Sequence, residues 1–366
     1  MNFPKIMTLL LEYLTQGPRI FLTSKKNKLF REKYGGDAEE VCASIIRDCW
    51  NGKYFQTSTG NFAQFWTRDF GWCTSSLLHL GYEKEVHLTL KYALNRFIKH
   101  KKIMTTITPK GKPFDFPNYA VDSLPWLIHS IKISKFAYYT YQEFLNQEIQ
   151  RFYSLAINPN TGLVRADKQF SSIKDFAIRK SSCYDNCMVA MLARDLQGME
   201  LMNPFTRWDY PMLIKKNFWN GEFFYDDLSQ KYYVAGDANI FPFVLGIFND
   251  KNMIKLVLDT IRKEGLDQPF PLKYTHHRNK AKFIWQEVFL RNYEGDTIWT
   301  HMGPLYIKMA AQVDKNYAFD LKKRYTHWIE YHKNYLEVFT SHGKPFSTPF
   351  YFSDKGMLWA VNYLTL

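Results

Sequence analysis

"FAQFWTRDFGWC", Phe62 to Cys73, poses the question that decides the fold. Arg68 and Asp69 sit inside a run of Phe62, Phe65, Trp66, Phe70 and Trp72. A charged pair is costly among aromatic rings unless it is paired, hydrogen-bonded or placed for a polar ligand. The stretch leads into "GWCTSSLLHLGY", which reads as a helix closed by Gly81. The same grammar, an acid beside an apolar or aromatic helix, recurs along the chain. Asp122 lies in "NYAVDSLPWLI", and Asp175 and Asp185 flank "FAIRKSSCY" ahead of "NCMVAMLA". Asp237 lies in "GDANIFPFVLGIF", Asp296 in "EGDTIWTHMG" and Glu337 in "NYLEVFTSHGKPF". Asp237 and Asp296 suit helix N-caps. Capping explains Asp69 and Glu337 poorly. The neighbours of Asp69 are aromatic, and Glu337 follows a helix C-terminus, where the macrodipole disfavours a carboxylate.

Working outward, helical periodicity dominates. "AEEVCASIIRDCW" places Val41, Ile45, Ile46 and Cys49 on one face, with Asp37 as its expected N-cap. Some segments, such as "NIFPFVLGIF" and "CMVAMLA", are apolar nearly all round. Others, such as "EKEVHLTLKYALNRFIKHKK", are amphipathic. Their alternation predicts an all-α fold, an (α/α)6 toroid of roughly twelve helices with an inner and an outer ring. Short β pieces are expected in the funnel loops, at "IMTTIT", "GLVRA", "GEFFYDD" and "KYYVAG". In such a toroid the inner helices all start at one end, so the acids would ring one mouth. No linker or low-complexity tract divides the chain. A basic N-terminal arm or helix over residues 1–36 and one catalytic domain over residues 37–366 are therefore expected.

Composition narrows the function. The 366 residues are 46% hydrophobic and 17% aromatic, with 30 Phe, 24 Tyr and 10 Trp. The core uses many of these rings, but a surplus of Trp and Tyr also suits sugars. A flat ring matches the C–H face of a pyranose, while the Trp N–H or Tyr O–H stays free to bond. The net charge of +13 raises nucleic acid as a partner, yet no zinc-finger, RNA-binding or helix-turn-helix pattern accompanies it. Its densest source is "RIFLTSKKNKLFREK", read as a solvated face or loose arm able to touch an anionic surface weakly. The five cysteines, Cys42, Cys49, Cys73, Cys183 and Cys187, have neither disulfide-framework nor zinc spacing. They read as thiols of a reducing, cytoplasmic compartment. "IMTLLLEYL" lacks the flanks of a signal peptide.

In order, "FWTRDFGW", "NYAVDSLPWLI", "IKDFAIRKSSCYDNCMVAML", "GDANIFPFVLGI", "NYEGDTIWTHMG" and "YLEVFTSHGKPF" resemble the motif series of the six-hairpin glycosidases. The nearest relatives implied are neutral/alkaline invertases and the amylo-1,6-glucosidase domain of glycogen-debranching enzymes. The resemblance spans about residues 60 to 364. It implies that Asp69 and Asp122 bind the sugar, that Asp175 is the general acid with Asp185 as second acid, and that Glu337 is the general base. Lys174 stands where the family has Trp or Met, which keeps Asp185 as the alternative acid.

The resemblance further implies cleavage of an α-linked glucoside or related sugar with inversion, needing no cofactor or metal. Trp66, Trp72, Trp126 and Trp299 are the rings expected around Asp69, Asp122, Asp175 and Glu337, with Asp237 nearby. Arg68 is expected to orient Asp69. Glycoside hydrolysis needs one carboxyl protonated and one ionised. Asp175 is expected to hold the proton, while Lys344 or a tyrosine hydroxyl keeps Glu337 ionised. The alternative is a non-catalytic sugar-binding toroid. The expected partner is a carbohydrate rather than nucleic acid.

Overall fold

The computed structural model describes residues 3–30 and 32–366, with side chains from Thr15 onward apart from Arg31. The side chains of "IMTLLLEYL" and Arg31 of the basic run lie outside the described residues. Thirteen α-helices are present among the described residues. They are α1 (Phe3–Leu29), α2 (Ala38–Cys49), α3 (Thr67–His79), α4 (Glu83–Lys99), α5 (Ser123–Ile133), α6 (Gln142–Ala156) and α7 (Cys183–Asp195). There follow α8 (Tyr210–Phe218), α9 (Gly236–Val244), α10 (Lys251–Lys263), α11 (Met302–Ala311), α12 (Lys315–His332) and α13 (Ala360–Tyr363).

Burial separates the two kinds of helix. Nearly every residue of α7, α9 and α13 is buried. In α4 only the stripe Val86, Thr89, Leu90, Ala93, Leu94 and Phe97 is buried. The buried helices touch in sequence: α3 packs on α5, α5 on α7, α7 on α9, α9 on α11, α11 on α13, and α13 returns to α3. The contacts thus form a closed cycle. The striped helices lie against it, with α4 on α3 and α5, α6 on α5, α8 on α7, α10 on α9 and α11, and α12 on α11. The helix α2 packs on α12 and α13. Close approach inside the cycle is bought with glycine: a Cβ on Gly71 of α3 would lie 2.6 Å from the Trp126 side chain on α5.

The caps fall mainly on the striped helices. Asp37 and Glu40 form a capping box on α2. Asp209, Asp250 and Asp314 cap α8, α10 and α12. Asp237 and Asp296 do not cap. Asp237 lies inside the first turn of α9 in ion pairs, and Asp296 bonds Asn292, while α11 starts only at Met302. Ion pairing and local bonding claim these carboxylates first.

The strands are two residues long. β1 (Phe65–Trp66) pairs antiparallel with β2 (Thr106–Ile107), and β2 with β3 (Pro113–Phe114). β4 (Ala177–Ile178) pairs with β5 (Lys282–Phe283), and β6 (Ile298–Trp299) with β7 (Val338–Phe339). Of the expected β pieces, "IMTTIT" contributes β2. "GLVRA" and "GEFFYDD" make only isolated bridges, Ile157 to Val164 for the first and Trp219 to Phe224 and Ser182 to Asp227 for the second. "KYYVAG" makes none. Its Tyr233 hydroxyl donates to Asp226 at 2.6 Å as the chain turns into α9.

α1 continues through Gly17 and Pro18 to Leu29, beyond the apolar segment that the sequence suggested. Its basic half is partly tied down. The Arg19 guanidinium donates to the Asn61 carbonyl at 3.0 Å and to the Gln64 amide oxygen at 2.6 Å, and Asn27 donates to Asp354 at 3.4 Å.

Candidate active site

β1 delivers the chain directly into α3, because the Thr67 N–H is held by the Thr105 carbonyl beside β2. No side chain caps α3, and its first turn carries Arg68 and Asp69. They do not pair with each other. The Arg68 guanidinium is 2.8 Å from Asp122 and 3.2 Å from Asp175, while Asp69 accepts from the Trp359 indole N–H at 3.0 Å. The expectation that Arg68 orients Asp69 is thus corrected: Trp359 does so, and Arg68 joins Asp122 to Asp175. Burial opposes the Arg68 charge, but Asp122, Asp175 and Asp69 outweigh it and hold its pKa well above the ordinary value.

Asp175 sits at the head of β4. Its N–H and those of Phe176 and Ala177 all donate to the Glu294 carboxyl, at 2.6 to 3.0 Å. Burial raises the Asp175 pKa, and Arg68 opposes the rise. The preceding Lys174 points the other way, 2.7 Å from Asp237 and 3.3 Å from Asp226. Lys174 therefore serves a buried ion network behind the wall.

Glu337 immediately precedes β7. It accepts from the hydroxyls of Tyr293 and Tyr351 and from the Asp354 N–H at 3.1 Å. Burial pushes its pKa up to about 8. The Asp354 charge adds to the rise, and the two hydroxyls oppose it. The tyrosine alternative is realised and the lysine one is not, since Lys344 is exposed away from the cavity. Ionisation nevertheless loses to burial, so the proton on Glu337 is held more firmly than a general base at neutral pH requires.

Asp69, Asp175 and Glu337 share one cavity of about 660 Å³ with Trp66, Arg68, Trp72 and Trp299. Asp122, Trp126, Asp185 and Asp237 stand behind its wall. Asp122 lies under Arg68 and accepts from the Tyr184 hydroxyl at 3.2 Å, which itself accepts from the Trp126 indole N–H at 3.1 Å. Trp126 is edge-on to Trp72, with centroids 6.5 Å apart. Asp185 is buried in the first turn of α7, and burial pushes its pKa up to about 6, opposed by Arg179. Asp237 is held by Lys174 and by Arg179 at 3.0 Å. The expected convergence of four acids is therefore a convergence of three. Asp122 acts through Arg68, because the guanidinium occupies the space between it and the cavity.

Sequence reasoning missed several residues here. Glu294 lines the cavity and carries the Asp175 loop. Burial pushes its pKa up to about 8, helped by the Asp175 charge. Its only signal was its place in "NYEGD", two residues before an acid read as a cap. His301 stacks on Trp72 at 4.3 Å and 6°, and neither of its ring nitrogens has a hydrogen-bond partner among the described residues. Burial and then Arg68 hold its pKa well below the ordinary value, so it is neutral. The indole N–H groups of Trp66 and Trp72 are likewise unpartnered. Such buried orphans are rare and call for an explanation.

No protein-family model matches the chain, and no curated protein matches it. Solved structures do share its fold. A rhamnosidase from Klebsiella oxytoca with rhamnose bound superposes with a TM-score of 0.61 over 91% of this chain, at 9% identity. A bacterial glucoamylase complexed with acarbose gives 0.61 over 89% at 13% identity. A GH63 mannosylglycerate hydrolase from Thermus thermophilus gives 0.59 over 89% at 10% identity. The chain spans 65% of the rhamnosidase and 54% of the glucoamylase, but 98% of the mannosylglycerate hydrolase.

Proposed function

We propose that this chain is a glycoside hydrolase built on an (α/α)6 toroid, with a carbohydrate substrate. The observation that carries the reading is the meeting of Asp69, Asp175 and Glu337 in one aromatic-walled cavity where the Trp66 and Trp72 indole N–H groups and the His301 ring nitrogens lack partners among the described residues. Sugar hydroxyls suit both kinds of group, since they donate to carboxylates and accept from N–H. The closed cycle of contacts from α3 to α13 supports the toroid, and the solved glycosidases of the same fold support the activity. The motif series supports an α-linked glucoside or related sugar, nearest to the invertases and amylo-1,6-glucosidases. The five cysteines are free and buried, which suits a reducing cytoplasm.

In this reading Asp175 protonates the leaving oxygen, Glu337 takes a proton from water, and the configuration inverts. Asp69 and the Trp66 and Trp72 indoles hold sugar hydroxyls. Anomer-resolved NMR on α-linked disaccharides and short α-glucans tests this. The first product should have the opposite anomeric configuration to the bond cleaved. Asp175→Asn should lower turnover at least ~100-fold, and a glycosyl fluoride should partly rescue it. Glu337→Gln should lose both substrates. Wild-type rates in both Asp175→Asn and Asp69→Asn would overturn the mechanism. One observation favours a second reading, a sugar-binding protein without turnover: Glu337 keeps its proton up to about 8. Sugar binding that is unaffected by Glu337→Gln, with no product at pH 7 to 9, would decide for it.

A further inference from the structure

Resting on the reading of this cavity as a glycosidase site, we infer that its substrate carries an apolar aglycone, an alkyl or acyl chain that leaves the cavity between α1 and the loop around Phe289. The cavity is graded along its depth. Glu337 and Asp69 are 2% and 7% exposed, together with buried Trp359 and His301. The lining residues most open to water are apolar instead: Phe21, Phe289 and Phe350 are 38%, 45% and 52% exposed, and Pro18, Ile20 and Leu290 stand beside them in the lining. An amphipathic ligand fits this gradient in one orientation, polar sugar inward and apolar tail outward.

A second sugar at the mouth would need different walls. Rings that carry sugars usually combine a flat face with an N–H or O–H, and phenylalanine has no such handle. Of the polar side chains near the mouth, the Lys25 ammonium of α1 lies over the Phe21 ring, 5.4 Å from its centroid, and the side-chain oxygens of Gln16 and Gln64 are already taken. Gln16 and Gln64 both accept from the Arg19 guanidinium, at 2.8 and 2.6 Å, and the Gln64 amide donates to Thr106 at 2.8 Å. The apolar surface also continues outside the cavity. Phe289 stands edge-on to Phe350 at 5.5 Å and to Trp285 at 6.2 Å, and Trp285 and Val288 are 72% and 67% exposed. A contiguous apolar rim joined to a pocket with carboxyls at its inner end is the mark of a binding surface rather than of scattered surface hydrophobes.

The test compares methyl, octyl and dodecyl α-D-glucosides below their critical micelle concentrations, by glucose release and, separately, by quenching of intrinsic tryptophan fluorescence. The kcat/KM should rise at least ~10-fold from methyl to octyl, mainly through KM, since each buried methylene favours binding severalfold. Phe289→Ser and Phe350→Ser should bring the octyl-to-methyl ratio toward one. Phe319→Ser, a still more exposed phenylalanine on α12 (68%), should leave it unchanged. Hydrolysis without chain-length preference, or a ratio untouched by the two rim variants, overturns the apolar aglycone and leaves the glycosidase standing. Rim-dependent binding of octyl and dodecyl glucosides without hydrolysis supports the apolar site and overturns the glycosidase reading on which its substrate role rests. Neither binding nor hydrolysis overturns the inference.

Discussion

Arg68 is where the charges of the site meet. Burying a guanidinium costs several kcal/mol unless its partners are well placed, and here Asp122 and Asp175 take two of its nitrogens. Removing the cation would leave Asp122, which is wholly buried, without its counter-charge. Arg68→Met should therefore cost ~3–5 kcal/mol of stability, read from the urea midpoint. Adding Asp122→Asn should restore a large part of it, and a double variant no more stable than the single would refute this charge balance. Arg68 and its aspartates were visible in the sequence because charge inside an aromatic run is anomalous. Which aspartate it takes was not visible, since adjacent residues on a helix point in different directions. Glu294, His301 and Trp359 were hidden for a related reason: each looked locally like an ordinary loop or helix residue, and only the fold brings it to Asp175, Trp72 or Asp69.

At the scale of the element, the first turns of α3, α7 and α9 bear Asp69, Asp185 and Asp237, Asp175 and Glu337 stand beside β4 and β7, and the striped helices take the aspartate caps. Period and capping chemistry made the striped helices legible, as with Asp37 before α2. The entry to α9 misled because Asp237 looks like a cap and is spent on Lys174 and Arg179 instead. Distances between helices were likewise not legible. Gly71 read as part of a motif, but its role is to let α3 approach α5 over Trp126. Gly71→Ala should push the two helices apart and cost ~1–3 kcal/mol, as overpacking of a tight core does. It should also lower kcat more than an equally destabilising change on α12, because Arg68, Asp69 and Trp72 ride on the same helix. Equal losses at equal stability would show that α3 can shift without disturbing the site.

For the whole molecule, the buried carboxyls set how stability responds to pH. Glu294 and Glu337 keep their protons up to about 8 in the fold, whereas in the unfolded chain they ionise near ~4.3. Between those values unfolding releases protons, so stability falls as pH rises, by up to ~1.4 kcal/mol per group per pH unit. His301 works in the opposite sense, but only where the unfolded chain would protonate it, below about 6.5. From pH 7 to 8 the carboxyls should dominate and the urea midpoint should fall. Glu337→Gln, uncharged in both states, should flatten that slope. A midpoint that rises or stays level would mean that the two carboxyls are already ionised in the fold.

The closed cycle of contacts also has a consequence in time. α2 and α3 pack on α13, and Asp354 accepts from the Asn61 N–H across 293 residues of chain. A ribosome adding ~5–20 residues per second needs ~15–60 s to make that interval. During it, the apolar faces of α2 and α3 that will meet α13 wait for a segment that has not been synthesised. Residues 38–79 are thus a stretch whose apolar faces a chaperone would have to shield until α13 arrives.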